Sequence, residues 1–208
     1  MKKVRSALVS IIANIHSAGQ VLNNKRALFG RTDKAHESID VNKIAQQVLR
    51  LLREQLNTQG IACRLDLASD LPLVVGHKGQ LQEVVINLLQ NAIEAMNTSK
   101  HGCRTLQLRT KRHGDDAIVV EVEDTGPGIS PADLNSIFDA FFTTKPHGVG
   151  LGLAMCRMIV ERHGGRLLAS SDGTNGALFR VLLPTREVHT DNAQALRSTK
   201  ASITIAAE

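Results

Sequence analysis

Three short stretches of this sequence gather residue types that can hold a cation, a flat ring and a chain of phosphates. In LQEVVINLLQNAIEAM (81–96), steps of about 100° around a helix put Glu83, Asn87, Asn91 and Glu94 within about 80° of one another. Leu81, Val85, Leu88, Leu89, Ala92 and Met96 take the opposite side. Such a stripe of carboxylate and amide oxygens suits a hard cation such as Mg2+, although a solvent-facing helix surface can look the same. In VVEVEDTGPGIS (119–130), a strand-like run ends at Asp124 and is followed by Gly126, Pro127 and Gly128. A carboxylate there can accept a hydrogen bond from an exocyclic amine, and bare glycine backbone lets a ring approach closely. An ordinary Gly-Pro-Gly turn is the alternative. In TTKPHGVGLGLAMC (143–156), Gly148, Gly150 and Gly152 lead straight into a helical pattern, with Lys145 three residues upstream. Unencumbered N–H groups at a helix N-terminus make a phosphate cradle. The spacing is neither that of a P-loop nor, without a βαβ setting, that of a dinucleotide fingerprint.

The elements that must position these stretches can be read from periodicity and punctuation. Val4, Leu8, Ile11, Ile15, Ala18, Leu22, Lys25 and Phe29 follow a heptad and predict a helix over 4–29 that needs a partner helix or a second subunit; a lone amphipathic helix on its own domain is the other possibility. The polar run 31–39 reads as a linker. Asp40 is a helix N-cap, Gly60 the helix stop, and 61–67 alternates as a strand, with LPLVVG (71–76) closing the unit. Then come a helix over 78–97, strands at 104–110 and 117–124, a short helix after Pro131, a helix over 151–163, and strands at 166–171 and 177–183. Pro184 ends the pattern, and 185–208 reads as a loose tail. The domain at 40–184 is therefore expected to be a two-layer α/β sandwich, with helices on one side of a mixed, mainly antiparallel sheet.

Composition narrows the function classes. Aromatic residues are 2% of the chain, with no Trp and no Tyr, which argues against nucleic-acid binding through base stacking. The net charge of +5 is dispersed, with small clusters at Lys2, Lys3 and Arg5 and at 104–112. Three widely spaced cysteines, Cys63, Cys103 and Cys156, fit a reducing cytoplasm better than a disulfide framework or a zinc site. No apolar run approaches the roughly 20 residues of a bilayer span, so any membrane sensor would lie outside this chain.

Taken in order, the segments NLLQNA (87–92), DTGPGI (124–129), FDAFFTTK (138–145) and GVGLGL (148–153) resemble the N box, first glycine box, F box and second glycine box of the GHKL, or Bergerat-fold, ATPases. The likeness is to the histidine kinase branch, extends over about 37–184, and continues through IVERHGG (159–165) and GTNGALF (173–179). It implies ATP and Mg2+ as cofactors. Asn91 would coordinate the metal, with Asn87 and Glu83 supporting it. Asp124 would accept from the adenine amine, between Gly126 and Gly128. Lys145 and the turn Gly148, Gly150, Leu151 and Gly152 would form a lid over the phosphates, and Thr174 of the late loop would also touch the nucleotide. Phe141 and Phe142 would anchor the lid or simply pack in the core.

Hydrolytic members of that superfamily carry a glutamate base one turn before the metal-binding asparagine. Here that position is Asn87, an amide that cannot accept a proton usefully, which favours phosphoryl transfer over water activation; Glu83, one turn further back, keeps the question open. The family's phospho-accepting histidine is followed by an acid and then a proline. Neither His16 nor His36 fits, so the acceptor is expected to be absent from this chain and 4–29 to resemble the second helix of a hairpin truncated at its start. The resemblance thus implies a histidine kinase module that dimerises through the N-terminal helix and passes phosphate to a response-regulator aspartate. The alternative is a nucleotide-binding regulatory module without phosphotransfer.

Overall fold

A computed structural model describes residues 36–98, 102–145 and 148–185. The helix expected at 4–29 and the tail beyond 185 lie outside the described residues. Strand β1 (Glu37–Ile39) leads into helix α1 (Val41–Thr58), β2 (Ala62–Leu67), β3 (Val74–Gly76) and helix α2 (Lys78–Thr98). The hairpin β4 (Thr105–His113) and β5 (Ala117–Asp124) follows, then helix α3 (Gly152–Arg162), β6 (Arg166–Ser170) and β7 (Leu178–Pro184).

Local chemistry sets the helix ends. The Asp40 carboxylate accepts from Lys43 N–H at 3.1 Å, capping α1. At the other end Gly60 N–H donates to Asn57 O and Ile61 N–H to Leu56 O, the paired bonds of a Schellman stop, with Leu56 and Ile61 both buried. The same pair closes α3: Gly164 N–H to Glu161 O and Gly165 N–H to Val160 O.

The main sheet has the order β2-β4-β5-β7-β6; β2 and β4 are parallel and the other neighbours antiparallel. Register puts Leu108, Val122 and Phe179 in one row and Val120, Val181 and Leu167 in another, on the face shared with the helices. Val48, Leu52, Leu88, Leu89, Ile93, Ile159 and Val160 meet them in one continuous core. On the opposite face the Glu121 carboxylate is held by Arg109, Lys111 and Arg180 at 3.0, 2.9 and 3.2 Å, so the sheet's outer charges neutralise one another. The layered architecture is the expected one.

Two local expectations fail. Glu37–Ile39 was expected in a linker, yet it pairs antiparallel with Val74–Gly76 and buries Ile39. Three residues are too few for an alternation to register, and only the partner strand makes them one. The helix expected after Pro131 is a run of turns: Leu134 N–H reaches Ser130 O and Ile137 N–H reaches Asp133 O, with three-residue turns interleaved. Ile137 alone of this stretch is fully buried, so no apolar stripe sustains a helix.

His163 ties α3 to the start of α2. Its Nδ1 lies 2.7 Å from Ile159 O and its Nε2 accepts from His77 N–H at 3.0 Å, which requires the neutral ring with the proton on Nδ1. Burial accordingly holds its pKa below the ordinary histidine range. The ring fills the space where Gly76 would carry a Cβ. We expect His163→Ala to lower unfolding stability by about 1–3 kcal/mol, because it orphans the His77 N–H and opens a void. Urea unfolding measures this, and a midpoint unchanged from the parent chain would refute the role.

Candidate functional site

Helix α2 buries Leu81, Val84, Val85, Leu88, Leu89, Ala92, Ile93 and Met96, which fixes its rotation and leaves Glu83, Asn87, Asn91 and Glu94 along its other side. Asn87 spends its amide N–H on Glu83 O at 3.1 Å, so its Oδ1 stays available as an acceptor. That oxygen is 3.8 Å from the place a Cβ of Gly152 would occupy, so the first residue of α3 sits directly beside the polar side of α2. Glu83, half-buried, has its pKa raised by loss of water, and its charge adds to the burial that pushes the Cys156 thiol up to about 12.

Lys145 closes the far end of this row. Its Nζ donates to Asn91 Oδ1 at 2.8 Å and to Glu94 Oε2 at 2.5 Å. An ammonium therefore already rests on the oxygens of Asn91 and Glu94, which shows that this pair accepts a cation. Among the described residues no group of three or more His, Cys, Asp or Glu side chains could hold a metal unaided. A divalent ion here would need amide oxygens and oxygens brought by a ligand, as Mg2+ commonly does.

The chain that carries Lys145 is held against the glycine turn. Phe141 N–H donates to Gly150 O at 2.8 Å, and a Cβ at Gly150 would meet Phe141 and Phe142 backbone at 2.5–2.6 Å. Gly150 takes a φ of +70°, and Phe141 takes +69°. For a bulky residue that is a strained backbone of the kind found at switching or ligand-clamping positions. The two phenylalanines part company: Phe142 packs against the core, whereas Phe141 is 73% exposed. Leu151 O accepts from Met155 N–H and begins α3, leaving the N–H groups near Gly152 without helical partners of their own.

Asp124 forms the other end of the cleft. It is 4% exposed, and its Oδ1 accepts from Gly126 N–H at 2.7 Å. Burial outweighs that bond and pushes its pKa up to about 6. Gly126 is pressed between this carboxylate and α2: a Cβ there would stand 2.7 Å from Asp124 Oδ1 and 3.1 Å from Ala95 Cβ. Gly128, with φ +82°, lies against the late loop, where a Cβ would be 2.8 Å from Thr174 N.

The structure thus brings Asn87, Asn91, Lys145 and Gly152 together along the middle of α2 and sets Asp124 and Gly126 beside Ala95, near the end of the same helix. Thr174 lies on the late loop beside Gly128. Its hydroxyl donates to Asp172 Oδ1 at 3.1 Å on the exposed loop, and its backbone nitrogen is what meets Gly128. Ala95, Ser171, Gly176 and Ala177 were not singled out in the sequence. Ala177 O accepts from Asp124 N–H at 3.0 Å, and Gly176 N–H donates to Gly126 O at 2.8 Å. Gly176 and Ala177 lie in the GTNGALF segment and Ala95 in the 81–96 helix, whereas Ser171 belongs to none of the quoted segments.

Residues 76–187 match the family model for the histidine kinase-, DNA gyrase B-, and HSP90-like ATPases. The chain is 34% identical over 185 residues to the sensor histidine kinase TmoS of Ectopseudomonas mendocina, covering 88% of this chain and 19% of that protein. It is 35% identical over 185 residues to the sensor protein FixL of Bradyrhizobium diazoefficiens, covering 89% and 36%. The chain therefore spans only about a fifth to a third of the length of these curated relatives. The histidine kinase ThkA, solved in complex with the response regulator protein TrrA, superposes with a TM-score of 0.69 at 26% identity, over 86% of this chain and 51% of that one.

Because Asp124 is raised from an ordinary 3.8 to about 6 on folding, its ionisation weakens the ligand-free fold. The sign follows: its full contribution to stability is present below pH 4 and is lost as pH rises through 6, a change on the order of 3 kcal/mol at about 1.4 kcal/mol per pH unit. Asp124→Asn cannot ionise and should gain on the parent chain by about that amount between pH 4 and pH 7. Urea unfolding of both at the two pH values tests it, and a pH-independent difference would contradict the assignment.

Proposed function

The chain belongs to the histidine kinase-, DNA gyrase B-, and HSP90-like ATPase family, and from that premise we propose that its cleft holds Mg-ATP and directs the γ-phosphoryl group to a histidine of a sensor kinase's dimerisation helices. The observation that carries this reading is the Lys145 ammonium on Asn91 Oδ1 and Glu94, with the helix start at Gly152 beside Asn87 one turn along the same helix. Those oxygens suit Mg2+: Asn91 would hold it, with Asn87 and Glu83 in support, and the ion would neutralise phosphate charge. Lys145 would offer its ammonium to a phosphate oxygen, and the turn Gly148, Gly150, Leu151 and Gly152 would present backbone N–H groups to the rest of the chain of phosphates. Asp124, between Gly126 and Gly128, accepts from the adenine amine in a site that excludes water. Thr174 contributes through its backbone.

Bond breaking in such a transfer needs alignment and charge neutralisation more than a strong base. Asn87, an amide whose N–H is tied to Glu83 O, favours this over hydrolysis. The acceptor histidine lies on another segment. His36 immediately precedes strand β1, with its ring 4.6 Å from that of His77, a setting unlike a helical acceptor. Dimerisation through 4–29, transfer onward to a response-regulator aspartate and a cytoplasmic setting belong to the same proposal; the relatives' names and the ThkA–TrrA complex support the transfer to a response regulator. No helix among the described residues is long and apolar enough to cross a membrane.

Two outcomes follow. The chain should bind a non-hydrolysable ATP analogue only with Mg2+, and Asn91→Ala or Asp124→Ala should abolish binding in calorimetry. Joined to a histidine-bearing helical hairpin, it should take γ-phosphate label from ATP in an acid-labile, base-stable form. Binding without label would favour the regulatory module, and label on His16 or His36 of the unjoined chain would overturn the assignment of the acceptor to another segment.

A further inference from the structure

Ser171 stands outside every segment assigned a chemical task, yet it joins two loops that frame the cleft. It follows β6 and is half-buried. Its Oγ donates to Gly176 O at 2.6 Å and accepts from Ile129 N–H at 2.9 Å and from Gly173 N–H at 3.2 Å. One hydroxyl offers one donor and two acceptor sites, so this one is saturated. Two of its bonds lie within the loop 171–176. The third reaches across to Ile129, immediately after Gly128, where a Cβ on Gly128 would be 2.9 Å from the same Oγ.

The clasp continues to the carboxylate. Gly176, pinned by Ser171, donates its N–H to Gly126 O at 2.8 Å, and its φ of +78° lets its backbone lie where a Cβ would strike Asp124 O. Gly126 in turn donates to Asp124 Oδ1. Ser171, Gly176, Gly126 and Asp124 therefore form one connected hydrogen-bonded chain. Gly126 to Ile129 has no regular secondary structure of its own; apart from this connection, Asp124 N–H to Ala177 O and the Thr125 hydroxyl, bonded to Cys103 O and Thr105 N–H, hold only the start of the loop.

We propose that Ser171 is a positioning residue for the base end of the nucleotide site: it sets the Gly126–Gly128 wall and the Asp124 acceptor in their binding geometry before any ligand arrives. The inference rests on reading the cleft as an ATP site. It makes a directional claim, because Ser171 has no bond to Lys145, Asn91 or the Gly148–Gly152 turn. Loss of the hydroxyl should damage recognition of the base and leave recognition of the phosphates alone.

The test compares two ligands on the whole chain, an ATP analogue and inorganic tripolyphosphate, each with Mg2+. In Ser171→Ala, confirmed folded by thermal unfolding, affinity for the analogue should fall by about tenfold or more, the scale of one lost hydrogen bond in a pre-ordered site. Tripolyphosphate affinity should stay within about twofold, and Ser171→Thr, which keeps the hydroxyl, should recover most of the loss. Equal losses for both ligands, or none for either, would overturn the proposal. Amide exchange on the unliganded parent chain gives a second reading that needs no variant. Ile129 and Gly173 N–H should be protected, and exchange at the rate of open loop amides would also overturn it. Failure of the parent chain to bind the analogue at all would instead sink the ATP reading itself.

Discussion

The structure turns on the two-sided duty of α2. One side of this helix is committed to the core through Leu88, Leu89, Ile93 and Met96, all essentially inaccessible to water, and that commitment leaves it no freedom to rotate. Asn87, Asn91 and Ala95 consequently occupy fixed positions on the remaining side. Everything that meets them arrives from elsewhere in the chain: Gly152 beside Asn87, Lys145 on Asn91, and Gly126 against Ala95. A site built this way gains precision from the hydrophobic core, because displacing any of its amides would unpack the sheet beneath.

The two ends of the cleft are made on different principles. At the Lys145 end the polar groups are half-exposed and satisfied by one another, an ammonium on an amide oxygen and a carboxylate. Such contacts exchange readily with those of a ligand, since surface pairs contribute little to stability. At the Asp124 end the carboxylate is buried, its pKa is raised, and the backbone around it is braced by hydrogen bonds to the late loop. That end is rigid and carries an energetic cost in the empty protein. A ligand that donates to Asp124 relieves the cost, which is how a locally unfavourable carboxylate becomes a recognition element.

The sequence disclosed the parts of this arrangement that rest on period or on punctuation. Apolar spacing sustained from Leu81 to Met96 identified α2 and its polar stripe, and Asp40 and Gly60 marked the ends of α1 through capping chemistry that needs only neighbouring residues. What it hid was made by distant pairing. Glu37–Ile39 becomes a strand only because Val74–Gly76 lies alongside, and the stretch after Pro131 has helix-compatible residues but no buried face to hold a helix. Ser171 is one serine in a polar loop, and no spacing rule announces that its hydroxyl reaches Ile129, 42 residues away. Nor does the sequence announce that Asp172 takes the Thr174 hydroxyl within the loop's own turn. The left-handed backbone of Phe141 is likewise a product of its packing against Gly150, and side-chain type would argue against it.

The central claim is that the amides of α2 and the glycine turn before α3 serve one ligand. Nitrogen-detected NMR on the labelled chain, titrated with a non-hydrolysable ATP analogue and Mg2+, addresses it most directly. The account predicts that the side-chain amides of Asn87 and Asn91 and the backbone amides of Gly148, Gly150 and Gly152 shift together, along saturation curves with a single shared Kd. Shifts confined to one of the two groups, or two groups saturating at different concentrations, would contradict it.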